Sequence, residues 1–428
     1  MTLTERARVA LCGAVLVAPA CRGSATTNEE AAPAAPPPQA APAKPVAPDK
    51  FSRSPMPAEM TDLGRQLFSD TTLSASGQMA CVTCHDPKLG FGPPNARPTQ
   101  LGGPDMKSPG LRAVPSLRYL QSVPSFTQHY LDEASDGSND VGPTGGNTWD
   151  GRVNTKHDQA KLPLTSKFEM ANASLDDVVA KVAGGPLATK FRAVFGDDVF
   201  ANPARGSAAI LMCLEVFQQS PKDFYPYSSK YDQYLRRKAE LSAAEARGLA
   251  LYNDGNKGNC ASCHPSGGYH GAFPQFTDYG FNALGVPRNA RIAANADPRF
   301  YDMGLCGPER TDLKDHKEYC GLFRVPSLRN VALRKVFFHN GAFDSLDRVM
   351  AFYVERDTNP GKWYPKVGGK IETFDDLPAE LRKNVTHDVP FGGKPGGKPR
   401  LSATEIRDVI AFLKTLTDAD LQEPTTGR

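Results

Sequence analysis

"CVTCH" at residues 81–85 returns as "CASCH" at residues 260–264. Cys-x-x-Cys-His is the spacing that attaches a c-type haem. Two thiols one short turn apart add to the two vinyl groups of the porphyrin. The next residue then lies under the ring, where its imidazole ligates the iron. Cys81, Cys84 and His85 would hold one haem, and Cys260, Cys263 and His264 a second. A zinc site would need further Cys/His pairs at metal-ligand spacing, which the sequence lacks. A thioredoxin-like dithiol would not explain a histidine at the same place twice.

The surroundings repeat as well. "DLGRQLFSD" (62–70) precedes the first motif and "ARGLALYND" (246–254) the second, so Gly64 matches Gly248 and Phe68 matches Tyr252. After each motif comes "VPSLR", at Val114–Arg118 and Val325–Arg329. "LSAAE" (241–245) and "LSATE" (401–405) read as capping boxes, with Ser242 and Ser402 as N-caps and Glu245 and Glu405 three residues on. The second box opens a helix with Ile406, Val409, Ile410, Leu413 and Leu416 on one face. The pattern predicts a mainly α fold: two tandem cytochrome c-type domains with long loops, over 51–240 and 241–428, with one covalent haem c each.

The chain has 428 residues with a formal net charge of +3, which gives nucleic acid no electrostatic hold. Residues 1–21 read as a signal peptide: Arg6 and Arg8 precede an apolar run too short to span a bilayer. The run ends in "VAPAC", where Cys21 would be a lipid-modified lipoprotein cysteine, with an ordinary cleavage site as the alternative. Residues 22–50 are Ala/Pro-rich and read as an extended spacer. The expected location is the periplasm, with the membrane touched only through the Cys21 anchor. Cys213, in "AAILMCLEVF", reads as a buried apolar residue. Cys306 and Cys320 flank a polar loop and read as a disulfide in an oxidising compartment.

"RVMAFYVERD" (348–357) poses a choice of ligand. Leu346, Val349, Met350 and Tyr353 share one helical face, so a thioether and a phenol are both presented on the buried side. Either could bind iron, and either could be core.

With "TWDGRVNTKHDQAKLPLTSKFEM" (148–170), "FRVPSLRNVAL" (323–333), "FFHNGAFDSL" (337–346) and the closing "EIRDVIAFLKTLT" (405–417), the chain resembles the di-haem cytochrome c peroxidase/MauG superfamily. The resemblance runs from about residue 55 to 420. It implies that hydrogen peroxide meets the haem held by His85. Glu169 would then move a proton during O–O cleavage, Gln159 would orient peroxide or water, and Pro163 would complete the open face. It makes Trp149 the indole between the haems and gives the haem held by His264 an electron-transfer role. It also places the second ligand of that haem at Tyr353, as in the tyrosine-ligated, MauG-like branch, rather than at Met350. A phenolate favours ferric and higher states, whereas a thioether favours ferrous iron. No histidine lies between His85 and His129, so the N-terminal haem is expected to be open at rest. The resemblance further implies a calcium ion between the domains. Here Ala113 stands at the asparagine ligand and Val336 at the contributing proline, so calcium is either missing or replaced by another arrangement.

Three functions follow from these readings. The first is a peroxidase fed by a small soluble cytochrome c or a cupredoxin. The second is an enzyme that uses peroxide to oxidise a tryptophan or tyrosine of a partner protein. The third is a non-catalytic di-haem electron carrier.

Overall fold

The computed structural model describes residues 50–130, 140–268 and 271–422. The expected signal peptide, Cys21 and all of the spacer but Lys50 lie outside the described residues, as does His270. Among the described residues there are eleven helices: α1 Pro57–Phe68, α2 Cys81–Cys84, α3 Lys156–Thr165, α4 Leu175–Gly184, α5 Ala188–Phe195, α6 Pro203–Phe217, α7 Pro221–Phe224, α8 Lys230–Leu235, α9 Ala243–Asn253, α10 Leu346–Glu355 and α11 Ala403–Lys414. Extended structure amounts to three antiparallel pairs of two residues each. These are β1 Leu101–Gly102 with β2 Ser108–Pro109, β3 Phe281–Asn282 with β4 Phe323–Arg324, and β5 Lys366–Val367 with β6 Lys370–Ile371. No helix among the described residues is long and apolar enough to cross a membrane.

The capping boxes form as the sequence predicts. Ser242 Oγ accepts from the Glu245 N–H and Ser402 Oγ from the Glu405 N–H, while each glutamate accepts from the serine N–H in return. Both helices therefore start at fixed residues with their first-turn donors satisfied.

Two apolar cores follow. The first gathers Leu63, Leu67 and Phe68 of α1, Phe191 and Phe195 of α5, and Cys213 and Phe217 of α6. The second gathers Tyr252 of α9, Phe352 of α10, and Phe412 and Leu413 of α11. It also takes in Tyr231 of α8, which precedes residue 240 in the chain. A third, smaller cluster surrounds the Cys306–Cys320 disulfide and includes Phe281, Leu305 and Leu381. Cys213 is fully buried, as its helical pattern predicts. Together the described residues make one compact unit.

The same close crossing occurs in both large cores. Gly64 of α1 lies against the Cys213 carbonyl of α6, and Gly248 of α9 lies against the Asp408 carbonyl of α11. A Cβ at either position would collide with that backbone. The repeated glycines are thus points where two helices meet with no side chain between them.

Alanine at Gly64 or Gly248 would gain about 1 kcal/mol of helix propensity but lose about 1–3 kcal/mol or more to overpacking. Backbone cannot rotate aside as a side chain can, so overpacking should win. Thermal melts of Gly64→Ala and Gly248→Ala should show a lowered Tm. A Tm equal to or above that of the parent would mean that the crossings can open by a methyl group.

Candidate haem sites and the space between them

His85 and His264 are held alike. The Nδ1–H of His85 donates to the Phe91 carbonyl at 3.0 Å, and that of His264 to the Phe276 carbonyl at 2.8 Å. A carbonyl only accepts, so Nδ1 carries the hydrogen and Nε2 keeps its lone pair for a metal. Both phenylalanines have φ of 54°, the left-handed region that few non-glycine residues adopt. Both are buried, so their rings anchor the turns that aim the carbonyls. Burial lowers each imidazole to about 4, which keeps it neutral and ready to ligate. The four cysteines of the motifs are free thiols, and Pro115 and Pro326 of the two "VPSLR" repeats line the cavities with the two histidines. This donor set fits two c-type haems.

One cavity holds Cys84 and His85 together with Trp149, Gln159, Pro163 and Glu169. The sequence-predicted distal residues are thus gathered beside the sequence-predicted ligand. Among the described residues no other histidine lines this cavity. His129 is exposed elsewhere and pairs with Asp140 at 2.6 Å.

Local structure explains how the set is held. Thr155 caps α3 by accepting from the Asp158 N–H at 3.0 Å. Pro163, inside α3, has no N–H to return to the Gln159 carbonyl, so the helix is weakened at the cavity wall. The Glu169 carbonyl accepts from the Gly103 N–H at 2.8 Å, and Gly102 lets the Phe168–Glu169 backbone come close because it has no Cβ. The Glu169 side chain is exposed and lines the cavity. Burial by the surrounding protein raises its carboxyl above the ordinary range.

The second cavity holds Cys260, Cys263 and His264, and both Met350 and Tyr353 line it. Ser345 caps α10 by accepting from the Arg348 N–H at 3.4 Å, which fixes the register of both. Met350 is 6% exposed and belongs to the second core. Tyr353 is half-buried, and its ring stacks on Phe391 at 5.2 Å. Burial raises its phenol above the ordinary range.

Trp149 lines both cavities. Its Nε1–H donates to the Ala113 carbonyl at 2.7 Å, its own carbonyl accepts from the Arg324 N–H at 2.9 Å, and the Ala113 N–H donates to the His339 carbonyl at 2.7 Å. The His339 ring stacks on Phe323 with centroids 3.5 Å apart. Beside Trp149, the Arg112 guanidinium bridges two carboxylates. It donates to Asp150 at 2.6 Å and, through two nitrogens, to Asp302 at 2.6 and 2.7 Å. Burial would raise the Asp150 carboxyl, but Arg112 and Arg152 outweigh it and hold the group below the usual range. The sequence reading missed Arg112, Phe91 and Phe276.

Among the described residues no group of three or more Asp, Glu, His or Cys could hold a metal ion. The two nearby carboxylates are already taken by a guanidinium.

The model of the di-haem cytochrome c peroxidase family matches residues 58–240. The methylamine utilization protein MauG of Paracoccus denitrificans is 32% identical over 369 residues, covering 83% of this chain and 88% of that protein. This chain belongs to the di-haem cytochrome c peroxidase/MauG family. Two crystal structures of the diheme peroxidase BthA from Burkholderia thailandensis are similar throughout. One, of a tyrosine-to-methionine variant, is 36% identical with a TM-score of 0.77 and covers 87% of this chain and 90% of its own. The other is 34% identical with a TM-score of 0.75 and covers 88% and 94%. The family implies haem c as cofactor.

Arg112→Ala should lower stability by about 3–5 kcal/mol, because it strands two buried carboxylates. A denaturant or thermal melt matching that of the parent would overturn the reading that Arg112 ties Asp150 to Asp302.

Proposed function

We propose that this protein is a di-haem c-type peroxidase. Hydrogen peroxide is reduced in the cavity of His85, and electrons arrive by way of the cavity of His264. The observation that carries this is the gathering of Glu169, Gln159, Pro163 and Trp149 in one cavity with His85 and, among the described residues, no second histidine. When bound there, the haem iron supplies the open coordination position and the electrons for O–O cleavage. Glu169, whose carboxyl holds its proton above the ordinary carboxylate range, gives a proton to the departing oxygen and later recovers it. The Gln159 amide orients peroxide, having both a donor and an acceptor. Pro163 shapes the wall. The Ala113 carbonyl holds the indole N–H of Trp149, and its negative end favours positive charge on that ring when an electron passes. His85 and His264 would hold the two haem irons, with Tyr353 as the further ligand in the His264 cavity. The two apolar cores support a division into two cytochrome c-type domains near residue 240. The leader and Cys21 support export to the periplasm with a lipid anchor.

A second reading keeps the same site and changes the reductant. Tyr353 lines the cavity beside Met350, and a phenolate there suits storage of oxidising power. This favours, as the alternative, oxidation of a tryptophan or tyrosine on a partner protein. A plain electron carrier would have no use for a proton donor beside an open imidazole-ligated site. Steady-state assays would separate the first two readings: peroxidase function requires turnover with a reduced small cytochrome c or cupredoxin.

Glu169→Gln should retain both haems and slow the reaction with peroxide by about 10²–10⁴. An unchanged rate in stopped-flow measurements would remove Glu169 from the mechanism.

The ligand choice gives a contrast on one helix. Tyr353→Phe should abolish the native ferric spectrum of the His264 haem. Met350→Leu should leave it intact and cost under about 1.5 kcal/mol as a near-isosteric core swap. The reverse pattern would assign Met350 as ligand and move this protein to the methionine-ligated peroxidases.

A further inference from the structure

Arg324 is buried without an ion pair among the described residues. It ends β4, and its side chain lines both cavities. The residue is 7% exposed, and its Nε and Nη1 have no hydrogen-bond partner among the described residues. The nearby Asp150 carboxylate is already engaged by Arg112, Arg152 and Thr148. Two further cations of the same region lack an ion pair among the described residues. Arg334, on the His264 cavity, donates only to the carbonyls of Val336 and Val114, both at 3.1 Å. Lys156, on the His85 cavity, donates to the Leu120 carbonyl at 2.7 Å. Burial lowers Arg324 and Arg334 to about 10 and Lys156 to about 8, the direction expected of cations that lack a partner.

Buried charges without partners are costly, so such a cluster implies the anion that completes it. A haem c carries two carboxylates, and Arg324 is reachable from both rooms. A guanidinium can also grip two carboxylates at once through its separate N–H edges. We propose that Arg324 is a shared anchor for haem carboxylates from the two cavities, flanked by Arg334 on one side and Lys156 on the other. It is a positioning residue that sets the two haems against Trp149, and its charge raises both reduction potentials. A cation beside a haem favours the more negative, reduced form.

The inference rests on the di-haem reading, so the haem content of the purified protein is measured first. Two haems per chain by pyridine haemochrome secure that reading independently. Spectroelectrochemical titration of the holoprotein then compares Arg324→Gln and Arg324→Lys with the parent. Arg324→Gln should lower both midpoint potentials, and Arg324→Lys, which keeps the charge, should restore most of each. A merely structural residue would change stability without moving both potentials in one direction. Unchanged potentials, or a shift at one haem alone, would overturn the shared anchor. Should Arg324→Gln fail to mature, a crystal structure of the parent holoprotein decides. Carboxylate oxygens of both haems should lie within about 3.2 Å of the guanidinium nitrogens. A guanidinium bonded to water or to protein carbonyls instead would refute the proposal.

Discussion

The Arg112 guanidinium, gripped by Asp150 from one half and Asp302 from the other, fixes the seam between the two cavities. Asp150 follows Trp149 directly, so the clamp also fixes the indole that both cavities share. A buried pair of this kind adds little net stability over apolar packing, but it is strongly directional and fails badly when one partner is lost. Its value here is registration. Distances between redox centres must be held, and a cation bonded through three nitrogens allows neither half to slide.

Around that seam the two halves are built from like parts put to unlike ends. Each histidine is aimed by a carbonyl from a left-handed phenylalanine. Each "VPSLR" arginine enters a buried ion pair, Arg118 with Asp418 and Arg329 with Asp232. The linings differ. Gln159, Glu169, Arg152 and Lys156 bring polar side chains to the His85 cavity. Phe337, Phe338, Tyr353 and Phe391 are among the residues that make the other more apolar, with Tyr353 bringing a phenol. Proton-coupled bond breaking suits the first and electron storage the second.

Much of this was legible in the sequence because it is local. A Cys-x-x-Cys-His motif, a capping box, a 3.6-residue apolar stripe and a disulfide loop all declare themselves within a few residues. The grouping of Glu169, Gln159, Pro163 and Trp149 was legible only through family resemblance, since no spacing rule makes them neighbours. Arg112 was illegible because its partners lie 38 and 190 residues away and meet it only after the chain closes. Phe91 and Phe276 were hidden for another reason: their contribution is a backbone carbonyl, which every residue has. The strands, at two residues each, are too short to show an alternating pattern.

The cysteines make contrary demands on assembly. Cys306 and Cys320 must be oxidised, for their bond closes the loop that follows Asp302. Cys81, Cys84, Cys260 and Cys263 must stay reduced, because a sulfur already in a disulfide cannot add to a vinyl group. Neighbouring thiols of a Cys-x-x-Cys turn are well placed to close a disulfide when an external oxidant takes their two electrons. A surrounding oxidising enough to close one pair therefore threatens the other two. Maturation is then a matter of order as well as chemistry. For the motif thiols to take haem covalently, electrons would have to reach them within the same environment that withdraws electrons from Cys306 and Cys320.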